Sequence, residues 1–130
     1  PQDMVFVINY GFNDYLENFS TADYEQTLRA GIARISAAYP EAQIIIMTPY
    51  ENIYHNGGIA SVNEQGLNVQ QYADVVIKIA GDMDITLLDI PSNLDINESN
   101  NSFYFDGGCH YNENGRYYLA KCIISIINIE

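Results

Sequence analysis

The sequence predicts a layered α/β fold with a parallel sheet. Three observations carry this: uninterrupted apolar runs of strand length, segments of helical period between them, and turn-forming residues at each change of pattern. The runs Asp3–Asn9, Gln43–Met47 and Ile85–Ile90 are rich in β-branched residues and show no polar alternation, as strands buried on both faces do. Strand and helix alternate three times, and right-handed crossovers then make the strands parallel. The 130 residues fit one small domain, and 48% apolar content is enough to build its core.

Along the chain, the first strand gives way to a polar loop. Ser20 and Asp23 then form a capping pair, after which Tyr24, Leu28, Ile32 and Ile35 recur at helical spacing until Pro40. The second strand closes at Thr48-Pro49, and a long loop from Tyr50 to Gly66 carries paired glycines. A second helix is read from Val69, Tyr72, Ala73, Val76 and Ile79 or Ala80, stopping near Gly81. Behind the third strand, Asn93 to Asn101 reads as a polar loop. The last helix follows His110, with Asn112 as N-cap and Leu119, Cys122, Ile123 and Ile126 on its buried face. In such sheets ligands sit beyond the carboxyl ends of the strands, so the loops after Asn9, Met47 and Ile90 should share one face.

Charge narrows the partners. Five Lys plus Arg against 17 Asp plus Glu leave a formal charge of -12, which repels nucleic acid and anionic membrane surfaces. The longest apolar stretch, Cys122 to Ile129, is interrupted by Ser125 and Asn128 and falls short of a bilayer span. Cys109 and Cys122 form neither a C-x-x-C motif nor a disulfide framework, so the cysteines do not assign a compartment. An opening on Pro1 without a signal-peptide pattern is what a piece of a longer product would show.

Two segments can carry chemistry. In Asn9-Tyr10-Gly11-Phe12-Asn13-Asp14-Tyr15, Gly11 permits a sharp turn out of the strand, from which the Asn13 amide can present an N–H donor above the sheet. The same residue types also make ordinary turns. In Asp106-Gly107-Gly108-Cys109-His110-Tyr111-Asn112, a histidine stands just before a helix cap and close to an aspartate. A carboxylate on its Nδ1–H would leave Nε2 free as a general base. His55 has no such neighbour and reads as a surface residue. Cys109 adjoins His110, but side chains of sequence neighbours rarely meet as nucleophile and base.

Together the two segments resemble blocks of the SGNH (GDSL-type) hydrolase family, one reading G-x-N-D after a strand and the other D-x-x-H ahead of the final helix. The likeness runs over nearly the whole chain in the order of strand, block and helix. It implies a three-layer α/β/α, flavodoxin-like fold and hydrolysis of a small ester or an acylated carbohydrate. It further implies Asn13 and Gly11 at the oxyanion hole, His110 as base, Asp106 as its orienting acid, and no cofactor or metal. Asp106 and His110 stand one residue further apart than the family pattern, and Tyr111 replaces the proline often seen after the histidine.

The family's nucleophile block, Gly-Asp-Ser after a strand, does not occur in these 130 residues. Ser20, Ser36, Ser61, Ser92, Ser99, Ser102 and Ser125 fall in caps, helices and loops rather than after a buried strand. The resemblance therefore implies an N-terminally truncated domain whose first strand edge pairs with a second copy or with a chain that supplies the serine. A non-catalytic, assembly-forming fragment of the same fold is the alternative. A calcium-binding loop over Asp95 to Asp106 is another, with oxygen side chains at alternate positions but no glycine at the sixth. No glycine-rich phosphate loop follows a strand. Tyr10, Tyr15, Tyr50, Tyr54 and Tyr104 are candidates for an aromatic wall beside the site, with core packing equally open to them.

Overall fold

The structure, a computed structural model, describes residues 4–50, 62–107 and 110–127. The elements run β1 (Val5–Ile8), α1 (Phe12–Leu16), α2 (Thr21–Ala38), β2 (Gln43–Met47), α3 (Val69–Met83), β3 (Thr86–Leu88), α4 (Ile90–Leu94), α5 (Asn101–Tyr104) and α6 (Glu113–Ile126). The three strands form one parallel sheet in the order β1-β2-β3, with Val5 opposite Gln43 and Ile45 opposite Thr86.

The central strand β2 does what its composition requires and buries both faces, whereas β1 is only partly covered and leaves Val7 exposed. Phe6, Ile8, Ile44 and Ile46 pack with Tyr24 and Ile32 of α2 and with Tyr72, Val76 and Ile79 of α3. Val5, Ile45, Met47 and Leu88 face the other way, against Ile90 and Leu94 of α4 and Leu119, Ile123 and Ile126 of α6. The sheet is thus the middle of three layers. Ile32, Ile45 and Ile79 are fully buried, and each such side chain contributes about 1.5–3 kcal/mol of transfer free energy.

Helix α2 opens as the sequence indicates: Ser20 is its N-cap, and the Ser20 hydroxyl oxygen accepts from the Asp23 N–H at 3.1 Å. Asn112 caps α6 in the same way by accepting from the Gly115 N–H at 2.9 Å. Helix α3 begins with a reciprocal cap between Asn68 and Gln71 that the periodicity alone did not reveal.

Three boundaries differ from the sequence expectation. Helix α3 runs past Gly81 to Met83, because a surface glycine weakens a helix without breaking it; the actual stop is Asp84 in the left-handed region at φ 53°. The third strand ends at Leu88 rather than Ile90. The Ile90 N–H is taken by the Thr48 hydroxyl at 2.9 Å, and Pro91, which has no N–H, enters the first turn of α4. The polar stretch from Asn93 to Asn101 consequently contains the end of α4 and the start of α5. Among the described residues no helix is long and apolar enough to cross a membrane.

Candidate active site

Because the strands are parallel, the segments after Ile8, Met47 and Leu88 leave the same end of the sheet. The first is the turn at Gly11, which has φ 128° and serves as N-cap of α1. The expected open turn is in fact the start of this short helix, closed by the Tyr15 N–H donating to the Gly11 carbonyl at 3.0 Å. Asn13 stands exposed in its first turn, with Asp14 half-buried beside it.

Gly11 is held tightly. A Cβ built there would lie 2.6 Å from the Tyr24 hydroxyl and 2.9 Å from Pro49 Cγ, so the backbone occupies space that a side chain would need. The Tyr24 hydroxyl donates to the Tyr10 carbonyl at 2.8 Å, clamping the peptide that enters the turn. Burial, and to a lesser degree the Asp14 carboxylate, pushes the Tyr24 phenol well above the ordinary tyrosine range, so it remains a donor. Sequence reading missed Tyr24 as part of this turn; its place on the buried face of α2 was the available signal.

The second segment is Thr48-Pro49-Tyr50. Thr48 is fully buried and satisfied: its N–H donates to the Leu88 carbonyl, and its hydroxyl donates to Asp89 Oδ1 at 3.1 Å while accepting from Ile90. This ties the ends of β2 and β3 together and fixes where Pro49 and Tyr50 emerge.

His110 lies in a hairpin. Phe105 and Tyr111 form an antiparallel bridge, and the Asp106 N–H donates to the His110 carbonyl at 3.1 Å. Gly107, next to Asp106, has φ 79°. Phe105 is the buried middle of an aromatic stack, 5.4 Å from the Tyr50 ring and 4.8 Å from the Tyr111 ring. The hairpin is also tied to the head of α6. The Asn112 N–H donates to the Tyr104 carbonyl at 2.9 Å, and Gly115 leaves room for that carbonyl, into which a Cβ would run.

The sheet end thus carries Gly11 against Pro49 and Phe105, next to Asp106, against Tyr50, consecutive residues of one loop. Asp106 and His110 are joined through their backbones; among the described residues no hydrogen bond or ion pair joins their side chains, and both are exposed. Tyr15 packs in the core edge-on to Tyr72, and the Tyr104 hydroxyl donates to the Leu94 carbonyl, so these two are structural rather than an aromatic wall. Tyr10 is 70% exposed. His55, Tyr54, Ser61 and Cys109 lie outside the described residues.

Four of the described serines have local engagements. The hydroxyls of Ser20, Ser92, Ser99 and Ser125 donate to Asp23, Asp89, Asn97 and the Cys122 carbonyl respectively. In the acidic loop, the Asn97 and Asn100 side-chain oxygens accept from the loop's own backbone. No group of three or more His, Cys, Asp and Glu suited to a metal ion occurs among the described residues.

The fold has counterparts among known proteins. Residues 1–116 match the GDSL-like lipase/acylhydrolase family. The solved structure of a protein described as a GDSL-like lipase from Parabacteroides merdae superposes with a TM-score of 0.74 at 18% identity, over 95% of this chain and 60% of that one. A member of the lipolytic G-D-S-L family from Veillonella parvula gives 0.67 at 20% identity, over 95% and 62%. A further solved structure gives 0.75 at 21% identity, over 95% and 65%. At these identities the likeness speaks for the fold. The chain spans 60–65% of the length of these structures. No curated protein matches the sequence.

Proposed function

Since the chain belongs to the GDSL-like lipase/acylhydrolase family, we propose that it forms the oxyanion and base side of an ester-hydrolase active site, acting on a small ester or an acylated carbohydrate. The observation that supports this reading is that Gly11 abuts Pro49 and that Phe105, next to Asp106, stacks on Tyr50, both beyond the carboxyl ends of the strands. In this reading Asn13 and the Gly11 backbone stabilise the oxyanion. His110 takes the proton of a serine hydroxyl as it attacks the ester carbonyl and returns it to the leaving alcohol. Asp106 orients the imidazole once its exposed side chain turns inward across the hairpin.

The serine comes from outside these 130 residues, which hold no Gly-Asp-Ser. Among the described residues no strand pairs with β1 on the side away from β2, and there a further strand would join the sheet.

The test is hydrolysis of p-nitrophenyl acetate by the gene product that contains this chain together with the residues encoded before Pro1. His110→Ala is expected to lower kcat about 10³-fold or more, as loss of a catalytic base does. Asn13→Ala should lower it about 10²–10³-fold, and His55→Ala should leave turnover unchanged. Full turnover in the His110→Ala protein would sink the reading. Absence of turnover in every form, with the fold intact, would instead favour a non-catalytic, assembly-forming role.

A further inference from the structure

We propose that Thr48 is a positioning residue for the active site: its buried hydroxyl, held by Asp89, sets the loop on which both Gly11 and Phe105, next to Asp106, rest. The inference builds on the ester-hydrolase reading above and adds two residues that act through their neighbours. Tyrosines apart, Thr48 is the only buried polar side chain among the described residues. It follows directly on the apolar strand β2, where a valine of the same shape would pack without needing partners for a hydroxyl.

The Thr48 hydroxyl donates to Asp89 Oδ1 at 3.1 Å and accepts from the Ile90 N–H at 2.9 Å, while the Thr48 N–H donates to the Leu88 carbonyl at 3.1 Å. One residue at the end of β2 thus holds three consecutive residues where β3 passes into α4. Asp89 is the N-cap of α4, a place where an aspartate commonly accepts from the helix's own N–H groups, yet its carboxylate makes no such bond. It takes the Thr48 hydroxyl on one oxygen and the Ser92 hydroxyl, at 2.6 Å, on the other. The carboxylate is turned toward the strand end rather than into the helix.

Two paths lead from this node to the candidate site. The first is the chain itself: Pro49, the next residue, abuts Gly11, and Tyr50 stacks on Phe105 at 5.4 Å. The second runs through α4. Its Leu94 carbonyl accepts from the Tyr104 hydroxyl at 3.0 Å, and the Tyr104 carbonyl accepts from the N–H of Asn112, the cap of α6 two residues after His110. Without the Thr48 hydroxyl the end of β2 keeps its ladder bond to Leu88 but loses its hold on Asp89 and Ile90, so both paths loosen at once. Small displacements of positioned groups lower turnover steeply, because the reacting geometry tolerates little error.

The test is steady-state hydrolysis of p-nitrophenyl acetate by the gene product that contains this chain together with the residues encoded before Pro1. Thr48→Val should lower kcat about tenfold or more with little change in KM, the mark of an interaction needed in the transition state rather than for binding. Thr48→Ser, which keeps the hydroxyl, should restore most of the loss. Asp89→Ala should lower kcat in the same way, and Asp89→Asn, whose amide oxygen can still accept from Thr48, should recover it; this pair keeps the test if Thr48→Val folds poorly. Ile79→Val, a core substitution in α3, should lower the urea midpoint and leave kcat unchanged. Unchanged kcat in Thr48→Val or Asp89→Ala overturns the proposal, as does a Thr48→Ser protein no faster than Thr48→Val. So does an Asp89→Asn protein as slow as Asp89→Ala, which would mean that the carboxylate acts by its charge, or an equal fall in Ile79→Val, which would mean that any loss of stability slows the enzyme. His110→Ala separates the two levels. Turnover that survives it, or a folded wild type without turnover, sinks the hydrolase reading and this role together; turnover that needs His110 but not the Thr48 hydroxyl sinks the positioning role alone.

Discussion

The Asp106 N–H donates to the His110 carbonyl at 3.1 Å, so the two residues are cross-strand neighbours in a hairpin and not merely close in sequence. The Phe105–Tyr111 bridge closes the same connection ahead of α6.

That connection depends on Gly107, whose φ of 79° an L side chain resists. Gly107→Ala is expected to destabilise the fold by about 1 kcal/mol, read from the urea midpoint. If the hairpin positions His110 for catalysis, esterase turnover of the full gene product should fall by more than this loss of stability explains.

Gly11→Ala should cost more. It combines an unfavourable φ of 128° with a Cβ 2.6 Å from the Tyr24 hydroxyl and 2.9 Å from Pro49 Cγ. Backbone strain and overpacking together suggest about 2–4 kcal/mol. Tyr24→Phe, which removes one hydrogen bond to the Tyr10 carbonyl, should cost about 1 kcal/mol. The double variant should be less destabilised than the sum, since the missing hydroxyl relieves part of the clash. Strict additivity in denaturation experiments would show that the Tyr24 hydroxyl and Gly11 do not press on one another.

Strong local periodicity made much of this legible in advance. Gln43–Met47 is a strand because five residues that bury both faces leave no other option, and Ser20 and Asn112 cap helices because their side-chain oxygens satisfy free N–H groups. The third strand was overestimated because its last apolar residues serve two structures: Ile90 continues the hydrophobic run but gives its N–H to Thr48, a partner forty-two residues away. The candidate site was read as two motifs in order along the chain. That Gly11 abuts Pro49 and Phe105 stacks on Tyr50 was not legible, because contacts between distant loops leave no periodic trace.

Tyr111 offers a gain in stability. Its hydroxyl is buried without a hydrogen-bond partner among the described residues, a condition that typically costs about 1–3 kcal/mol. Tyr111→Phe should therefore leave stability unchanged or raise it, while keeping the stack on Phe105. The same burial, with a smaller contribution from Tyr50, raises the phenol above its ordinary value of 10.0. An unfolded chain then releases this proton first, so stability should decline as pH rises through about 10. The Phe variant should show a shallower decline. An equally steep alkaline loss in the variant would remove Tyr111 from the account.

The acid side turns on Glu25. Hydrogen bonds from Lys78 and then Arg29 hold its carboxyl below the usual 4.5, and Arg29 also reaches Asp82 at 2.6 Å, joining α2 to α3. A lowered folded-state value means that the stabilisation is complete above the ordinary glutamate range and is lost as pH falls from there through the folded-state value. Other carboxylates titrate nearby, so the comparison with Glu25→Gln isolates the effect. The wild type should be the more stable at neutral pH, and the gap should close under acid. Because these groups lie at the surface, added salt should also narrow it. A gap that persists with the carboxyl protonated would mean that Glu25 acts through packing rather than through its charge.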